Sequence, residues 1–174
     1  MAVELSVLFL YAENEWAQSN LIKEAQARGV DSSRLIFGKG IPREEYLARY
    51  CACDLFLDTL PYNAGTTASD ALWTGLPVLT LIGQSFPSRV AASLLTAIGL
   101  PELIAHTPEE YEALAIEFAT HVEKLKKVKE RLRTNRLTMP LYDTPLFTRH
   151  IEAAYTQMYG RYQADLLPDH IHIR

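Results

Sequence analysis

The 174-residue chain has few of the features that mark exported or membrane-spanning proteins. It has only two cysteines, Cys51 and Cys53, and this one closely spaced pair cannot build a disulfide framework. Its longest apolar-leaning runs, 7–12 and 76–82, are far shorter than the roughly 20 residues of a membrane span. The N-terminus also lacks a basic region followed by an apolar signal stretch. We therefore expect a soluble, cytoplasmic protein without a membrane partner.

The chain also lacks an excess of positive charge. Its 17 Lys and Arg residues against 21 Asp and Glu residues give a net charge of −4, so no basic field attracts nucleic acid. The basic residues between 124 and 133 follow an acidic stretch at 109–117, which is the order that complements a helix dipole. We expect no nucleic-acid partner, and a phosphate-bearing ligand needs a local site.

Short apolar segments alternate with helical patterns through the first half of the chain. Strands are predicted at 7–11, 34–37, 55–58 and 78–81, with helices at 13–28, 42–47 and 67–74 between them. This alternation predicts an α/β fold, a Rossmann-like parallel sheet of at least four strands with helices on both faces. Ligands in such folds bind beyond the carboxyl ends of the strands, so the loops after Phe37, Asp58 and Leu81 are the candidate site.

After Ser88 the strand pattern stops. Helices are predicted at 88–98, 108–133 and 145–162, which gives a helical C-terminal third. The aromatic stripe of the last helix, which includes Phe147, Tyr155 and Tyr159, is expected to pack against the sheet, and Trp73 is expected in the core. No linker or internal repeat divides the chain, so residues 1–174 are expected to form one domain.

The most informative segment, 54–70, predicts a strand, a polar loop and a helix start. Gly65 allows close approach of the backbone to a ligand, Thr66 and Thr67 offer hydroxyl and N–H groups at the positive end of the helix dipole, and Asp70 lies one turn further on. These are the parts of a pyrophosphate site, although the segment is neither a Walker loop nor a dinucleotide fingerprint. The alternative is that a threonine merely caps the helix, with Thr67 and Asp70 forming a pair like a capping box.

A second candidate, Arg89, follows the loop at 83–88 after the fourth predicted strand. An arginine at this edge of the sheet suits contact with a ligand or a salt bridge that fixes the helix start, and both alternatives stay open.

From about Val7 to Tyr162 the chain resembles the C-terminal catalytic lobe of the O-GlcNAc transferase and Spindly family, whose bacterial members often carry upstream tetratricopeptide repeats. The resemblance rests on four strings in order, 54–70, 71–80, 88–93 and 140–144. It implies the donor-binding lobe of a GT-B protein O-glycosyltransferase, which transfers GlcNAc from UDP-GlcNAc to Ser or Thr. The alternatives are the GDP-fucose donor of Spindly-type members, a non-protein acceptor, or a non-catalytic nucleotide-sugar-binding or interaction module.

The resemblance also implies roles for individual residues. Thr66 and Thr67 would hold the diphosphate, Asp70 would accept hydrogen bonds from the ribose, and the loop at 40–43 would meet the base. Three positions depart from the family pattern, because Gly65 and Tyr46 stand where histidines are usual and Arg43 stands where a lysine is usual. Arg43 keeps the positive charge and Tyr46 keeps a ring that can stack. The donor-binding residues expected on these grounds are Ile41, Arg43, Tyr46, Gly65, Thr66, Thr67, Asp70 and Arg89.

The family's acceptor-side histidine, and a lysine near the donor phosphates, lie upstream of the matched region. The resemblance therefore implies that the chain contains no catalytic residue, that it is inactive alone, and that its partners are an N-terminal lobe, tetratricopeptide repeats and a protein acceptor. Cys51 and Cys53 are interpreted as small apolar residues, and His170 and His172 as chain-end residues. We expect no metal site and no cofactor beyond the donor substrate.

Overall fold

The computed structural model describes residues 3–173, which form five short strands and seven helices. The strands are β1 (Leu8–Tyr11), β2 (Leu35–Gly38), β3 (Phe56–Leu57), β4 (Val78–Leu81) and β5 (Ile104–Ala105). The helices are α1 (Glu15–Ala27), α2 (Arg43–Arg49), α3 (Thr66–Thr74), α4 (Val90–Ala97), α5 (Pro108–Thr120), α6 (Val122–Thr138) and α7 (Thr144–Gln163). Strand and helix alternate from β1 to α5.

All paired strands run parallel. Leu8 of β1 lies opposite Leu35 of β2, Phe56 of β3 opposite Val78 of β4, and Thr80 of β4 opposite Ile104 of β5. The predicted class, parallel strands with helices on both faces and a helical C-terminal third, is confirmed.

The strands form two sheets instead of the single sheet expected from the sequence. One sheet contains β1 and β2, the other contains β3, β4 and β5, and no ladder joins the two among residues 3–173. The division leaves one edge of β1 and one edge of β3 without a strand partner.

Two other expectations for the C-terminal half are wrong. A strand does follow Ser88, since Ile104 and Ala105 form β5, but two residues are too few for a periodic pattern to reveal. The predicted helix 108–133 is two helices, because His121 has φ −113° and ψ 78°, outside the helical region. Thr107 caps α5 by accepting a hydrogen bond from the Glu110 N–H at 3.1 Å.

The core lies almost entirely in the second sheet and its helices. Among residues 3–173, every buried hydrophobic residue except Ala12 lies between Ala68 and Leu132. Within this stretch Leu72 of α3, Leu79 of β4 and Phe118 of α5 are almost fully excluded from solvent. By contrast, β1 and α1 leave large apolar side chains exposed. The part of the chain from Ala68 to Leu132 therefore holds most of the hydrophobic stabilisation.

The aromatic stripe of α7 does not pack against a sheet. No residue of α7 is buried, and Phe147, Tyr155 and Tyr159 each keep more than half of their surface exposed. Trp73 is half-exposed as well. It packs edge-to-face with Tyr142, with 5.0 Å between the two ring centroids. Helical spacing correctly indicates an apolar face in α7, but it does not indicate what covers that face.

The unequal core predicts unequal costs for the same substitution in two strands. Leu79→Ala in β4, where the side chain is 0% exposed, should lower the free energy of unfolding by about 2–5 kcal/mol through lost burial and a cavity. Leu8→Ala in β1, where the side chain is 42% exposed, should cost less than about 1 kcal/mol. Urea unfolding followed by circular dichroism measures both, and equal losses would contradict this distribution of the core.

Candidate functional site

The loop after β3 is organised by one buried carboxyl group. Asp58 is 3% exposed, and its Oδ1 accepts hydrogen bonds from the Thr59 N–H at 3.0 Å and the Ala64 N–H at 2.7 Å. Its Oδ2 accepts from the Thr80 hydroxyl of β4 at 2.6 Å. Both ends of the loop at 59–64 are thus attached to a single side chain, and that side chain is attached to the neighbouring strand.

Asn63 extends the same network. Its Nδ2 donates to the Thr80 Oγ1 at 3.0 Å and to the Leu81 carbonyl at 2.9 Å. The Tyr111 hydroxyl of α5 donates to the Asp58 carbonyl at 2.9 Å, and burial raises the pKa of Tyr111 to about 12. Together these bonds fix the backbone that leads into α3.

The start of α3 is open. Gly65 is its N-cap, and no side chain within the described residues caps the helix, so neither the threonine cap nor the Thr67–Asp70 pair considered above forms. Thr66 and Thr67 are exposed, and the first-turn N–H groups of a helix have no partner within the helix. A Cβ at Gly65 would touch only the Val90 Cγ1, at 3.6 Å. The helix start therefore presents N–H groups and the positive end of the dipole.

Asp70, a residue of α3 itself, pairs with Arg43 at the start of α2. The Arg43 Nη2 donates to the Asp70 Oδ1 at 3.3 Å, with the Asp70 side chain 14% exposed and the Arg43 side chain 71% exposed. An ion pair this exposed contributes about 1 kcal/mol or less to stability. Its structural effect is to bring the loop before α2 next to the first turns of α3.

Tyr46 reaches the same helix through Tyr50. The Tyr50 hydroxyl donates its single proton to the Thr67 carbonyl at 3.3 Å. It therefore accepts the hydrogen bond that joins it to the Tyr46 hydroxyl, and Tyr46 is the donor of that bond. Burial, and then the hydrogen bond with Tyr46, raise the pKa of Tyr50. Tyr46 thus packs edge-on against Tyr50, with 5.1 Å between the ring centroids.

The remaining two candidates lie beside these residues. Ile41 is half-buried in the loop between β2 and α2, two residues before Arg43. Arg89 is exposed and directly precedes Val90, the residue nearest to the Gly65 Cβ position. No ion pair to Arg89 exists among residues 3–173, so the salt bridge considered for it does not form there.

The candidate residues lie at or near the starts of three helices, α2, α3 and α4. Arg43 and Asp70 touch directly, and Tyr46 connects to Thr67 through Tyr50. Arg89 is linked to this group only by sequence, since it precedes Val90, whose Cγ1 lies 3.6 Å from the Gly65 Cβ position. Sequence reasoning did not single out the residues that organise this edge: Asp58, Asn63, Thr80, Tyr50 and Tyr111. The available signal was a carboxylate directly after a short apolar strand, followed five residues later by an asparagine in the polar loop.

The other candidate chemistries find no support among the described residues. Residues 3–173 contain no group of three or more His, Cys, Asp or Glu side chains placed to hold a metal ion. Cys51 and Cys53 are both free, and burial raises the pKa of the Cys53 thiol. No helix in this part of the chain has both the length and the apolar character needed to cross a membrane.

The structure combines parallel strands, flanking helices and an uncapped helix start at the carboxyl edge of a strand. Proteins of this α/β class bind anionic ligands at such helix starts. Comparison with known proteins identifies the family within this class. The chain belongs to glycosyl transferase family 41, whose sequence model matches residues 1–151.

Individual relatives agree with this assignment. A UDP-N-acetylglucosamine–peptide N-acetylglucosaminyltransferase of Caenorhabditis elegans is 34% identical over 169 residues, which are 97% of this chain and 15% of that protein. The SPINDLY protein of Hordeum vulgare, described as a probable UDP-N-acetylglucosamine–peptide N-acetylglucosaminyltransferase, is 37% identical over 118 residues. These residues are 68% of this chain and 12% of that protein. The chain thus spans a small part of the relatives it matches.

A solved structure agrees as well. The match to a mutant O-GlcNAc transferase of Thermobaculum terrenum has a TM-score of 0.83 at 36% identity, and covers 88% of this chain and 30% of the other. The resemblance to the O-GlcNAc transferase and Spindly family is confirmed.

The Asp58 network predicts a large effect for a one-atom change. Asp58→Asn replaces an acceptor oxygen by an NH₂ group, so either a loop N–H or the Thr80 hydroxyl loses its buried acceptor. Leaving one such group unpaired should lower the free energy of unfolding by about 1–3 kcal/mol and shift the Ala64 amide resonance.

The matched control is Asp54→Asn, which makes the same change at a side chain that is 86% exposed and pairs with Lys129. This variant should stay within about 0.5 kcal/mol of the parent. Urea unfolding and amide NMR spectra of both variants make the comparison. Equal effects of the two substitutions would show that Asp58 does not organise the loop.

Proposed function

We propose that the chain forms the donor-binding lobe of a protein O-glycosyltransferase that transfers GlcNAc from UDP-GlcNAc to Ser or Thr. The observation that carries the proposal is the uncapped start of α3 at the carboxyl edge of β3, with Asp70 of the same helix paired with Arg43. The names of the C. elegans and H. vulgare relatives support the activity, and membership of family 41 supports the class of reaction.

The donor diphosphate would lie at the first turn of α3. The nine-residue helix directs its free N–H groups to this point, and a partly buried anion at a helix N-terminus gains up to about 2 kcal/mol. The hydroxyls of Thr66 and Thr67 add donors beside the phosphate oxygens. Because Gly65 carries no side chain, the phosphates can approach the backbone closely.

The nucleoside would extend from α3 toward α2. Asp70 Oδ2 is available to accept from the ribose hydroxyls, since Arg43 contacts Oδ1. The backbone at Ile41 and the side chains of Arg43 and Tyr46 would contact the base. The hydrogen bond between the Tyr46 and Tyr50 hydroxyls would fix the position of the Tyr46 ring, which would offer a surface for stacking. Arg89, which has no ion pair in the described chain, would supply positive charge to the donor.

The acceptor side of the reaction would come from other parts of the protein. The proposed partners are an N-terminal lobe with the acceptor-side histidine, upstream tetratricopeptide repeats, and a protein substrate. We propose no catalytic residue in this chain, and no metal ion or cofactor for donor binding. The phosphate charge is met instead by the helix start and by Arg89.

The first prediction from this proposal concerns nucleotide binding. UDP should bind the chain weakly, with chemical-shift changes at the Gly65, Thr66 and Thr67 amides, and EDTA should leave the affinity unchanged. Thr67→Ala and Asp70→Ala should each weaken binding about tenfold or more, because a hydrogen bond to a charged ligand contributes roughly 1.5–3 kcal/mol. NMR titration with UDP, and separately with GDP, measures this.

Thr156→Ala in α7 and Asp54→Ala at the amino end of β3 are matched controls, since both residues lie outside the site. Unchanged affinity in all four folded variants, or no binding of either nucleotide, would refute the site. Preference for GDP would keep the site and favour a GDP-fucose donor.

The second prediction is that residues 1–174 alone do not catalyse transfer. Transfer requires an acceptor and a base held in position, and the proposal places both outside this chain. A radiolabelled UDP-GlcNAc assay with a Ser/Thr peptide, with the longer enzyme as positive control, should detect no product. Turnover by the purified chain, free of contaminating enzyme, would overturn this division of roles.

A further inference from the structure

Tyr50 joins two parts of the proposed donor site. It directly follows α2, and its half-buried side chain packs against the core beside Phe56 of β3, with 6.3 Å between the two ring centroids. Its hydroxyl accepts a hydrogen bond from the Tyr46 hydroxyl and donates one to the Thr67 carbonyl. One side chain therefore connects the proposed stacking surface for the base, at Tyr46, with a proposed contact of the diphosphate, at Thr67.

The ring of Tyr50 is held by two other aromatic rings. Phe56 packs against it from β3, and the Tyr46 ring packs edge-on against it with 5.1 Å between the centroids. A tyrosine side chain has only two rotatable bonds, so packing of the ring leaves the hydroxyl little freedom. The position of the Tyr50 hydroxyl is therefore set by the core and by β3.

The first turn of α3 has few other polar attachments. The first backbone hydrogen bond of the helix joins the Ser69 N–H to the Gly65 carbonyl at 3.0 Å, so the Thr66 and Thr67 amides have no backbone partner among residues 3–173. Within the same range, the Tyr50 hydroxyl is the one side-chain group that is hydrogen-bonded to either threonine. Tyr50 is thus the direct polar connection between this turn and the α2 side of the site.

We propose that Tyr50 is a positioning residue of the donor site, which sets the spacing between the base contact at Tyr46 and the diphosphate contact at Thr67. The inference rests on the proposed function, because that function assigns both contacts to one nucleoside diphosphate. Tyr50 acts without touching the donor, since its ring packs on Phe56 and its hydroxyl already has two protein partners.

The spacing affects only ligands that use both contacts. UDP carries a base and a diphosphate joined by one ribose, so binding of one part holds the other part near its own contact. Inorganic pyrophosphate has the diphosphate alone, and it can follow a small shift of Thr67. UDP cannot follow such a shift without losing part of its contact with Tyr46. The proposal therefore predicts different responses of two ligands at the same helix start.

The test is Tyr50→Phe, which removes the hydroxyl and keeps the ring that packs against Phe56. UDP should bind this variant about fivefold more weakly, which corresponds to one neutral hydrogen bond, whereas the affinity for pyrophosphate should change by less than about twofold. NMR titration of the folded chain measures both affinities. Unchanged UDP affinity, or an equal loss for UDP and pyrophosphate, would show that Tyr50 does not set the spacing.

The matched control is Tyr142→Phe, which removes another tyrosine hydroxyl that donates to a carbonyl of α3. This hydroxyl binds the Ser69 carbonyl at 2.8 Å, closer than the 3.3 Å between Tyr50 and Thr67, and its ring packs on Trp73 instead of Tyr46. UDP affinity should therefore stay within about twofold of the parent. If Tyr142→Phe weakens UDP binding as much as Tyr50→Phe, the loss of any hydroxyl bonded to α3 explains the effect, and the proposal is overturned.

A double-mutant cycle tests whether the two hydroxyls act as one unit. Tyr46→Phe removes the donor to Tyr50 and keeps the ring that is proposed to stack on the base. The double variant Tyr46→Phe/Tyr50→Phe should bind UDP no more weakly than Tyr50→Phe alone, whereas additive losses would contradict the proposal. A parent chain that binds neither UDP nor pyrophosphate would refute the proposed function and this inference with it. Binding by the parent without any effect of Tyr50→Phe would refute the inference alone.

Discussion

The candidate site depends on the burial of the Asp58 carboxyl group and on the donors that satisfy it. A buried carboxyl group without partners is costly, and here it receives two backbone N–H groups and the Thr80 hydroxyl. Those donors come from both ends of one loop and from the adjacent strand. The same contacts that offset desolvation therefore determine where the loop ends, and hence where α3 begins and where its free N–H groups lie.

The site lies between a well-packed part of the chain and a poorly packed one. Helix α3 belongs to the core between Ala68 and Leu132. Arg43 begins α2, which follows the β1–α1–β2 segment, and Ala12 is the only buried hydrophobic residue among the described residues of that segment. Among the described polar contacts, the Arg43–Asp70 pair and the Tyr50–Thr67 hydrogen bond connect the two parts. Exposed polar contacts of this kind are weak individually, so they fix the position of Arg43 relative to α3 less firmly than core packing fixes α3 itself.

Local patterns were sufficient to predict much of the fold. The β-branched and aromatic runs predicted β1 to β4 within two residues, and Gly75, with φ +93°, ends α3 in the left-handed conformation that favours glycine. Features that depend on distant contacts were not accessible. The two residues of β5 are a strand because β4 pairs with them, and Asp58 is important because Thr80 and Ala64 surround it. The resemblance named the residues at α3, but no pattern indicated that the helix would lack a cap.

Two of the three departures from the family pattern, Gly65 and Arg43, can be interpreted in physical terms. A Cβ at Gly65 would meet only the Val90 Cγ1, at the ordinary contact distance of 3.6 Å. Packing therefore does not require glycine, and in the proposed site its effect is to leave the helix start uncovered and without the ring of a histidine. Arg89 precedes Val90 with its charge unpaired within the described chain, whereas Arg43 is paired with Asp70. Of the two candidate arginines, Arg89 therefore leaves its charge unpaired for the proposed donor, whereas the charge of Arg43 is used in part by Asp70.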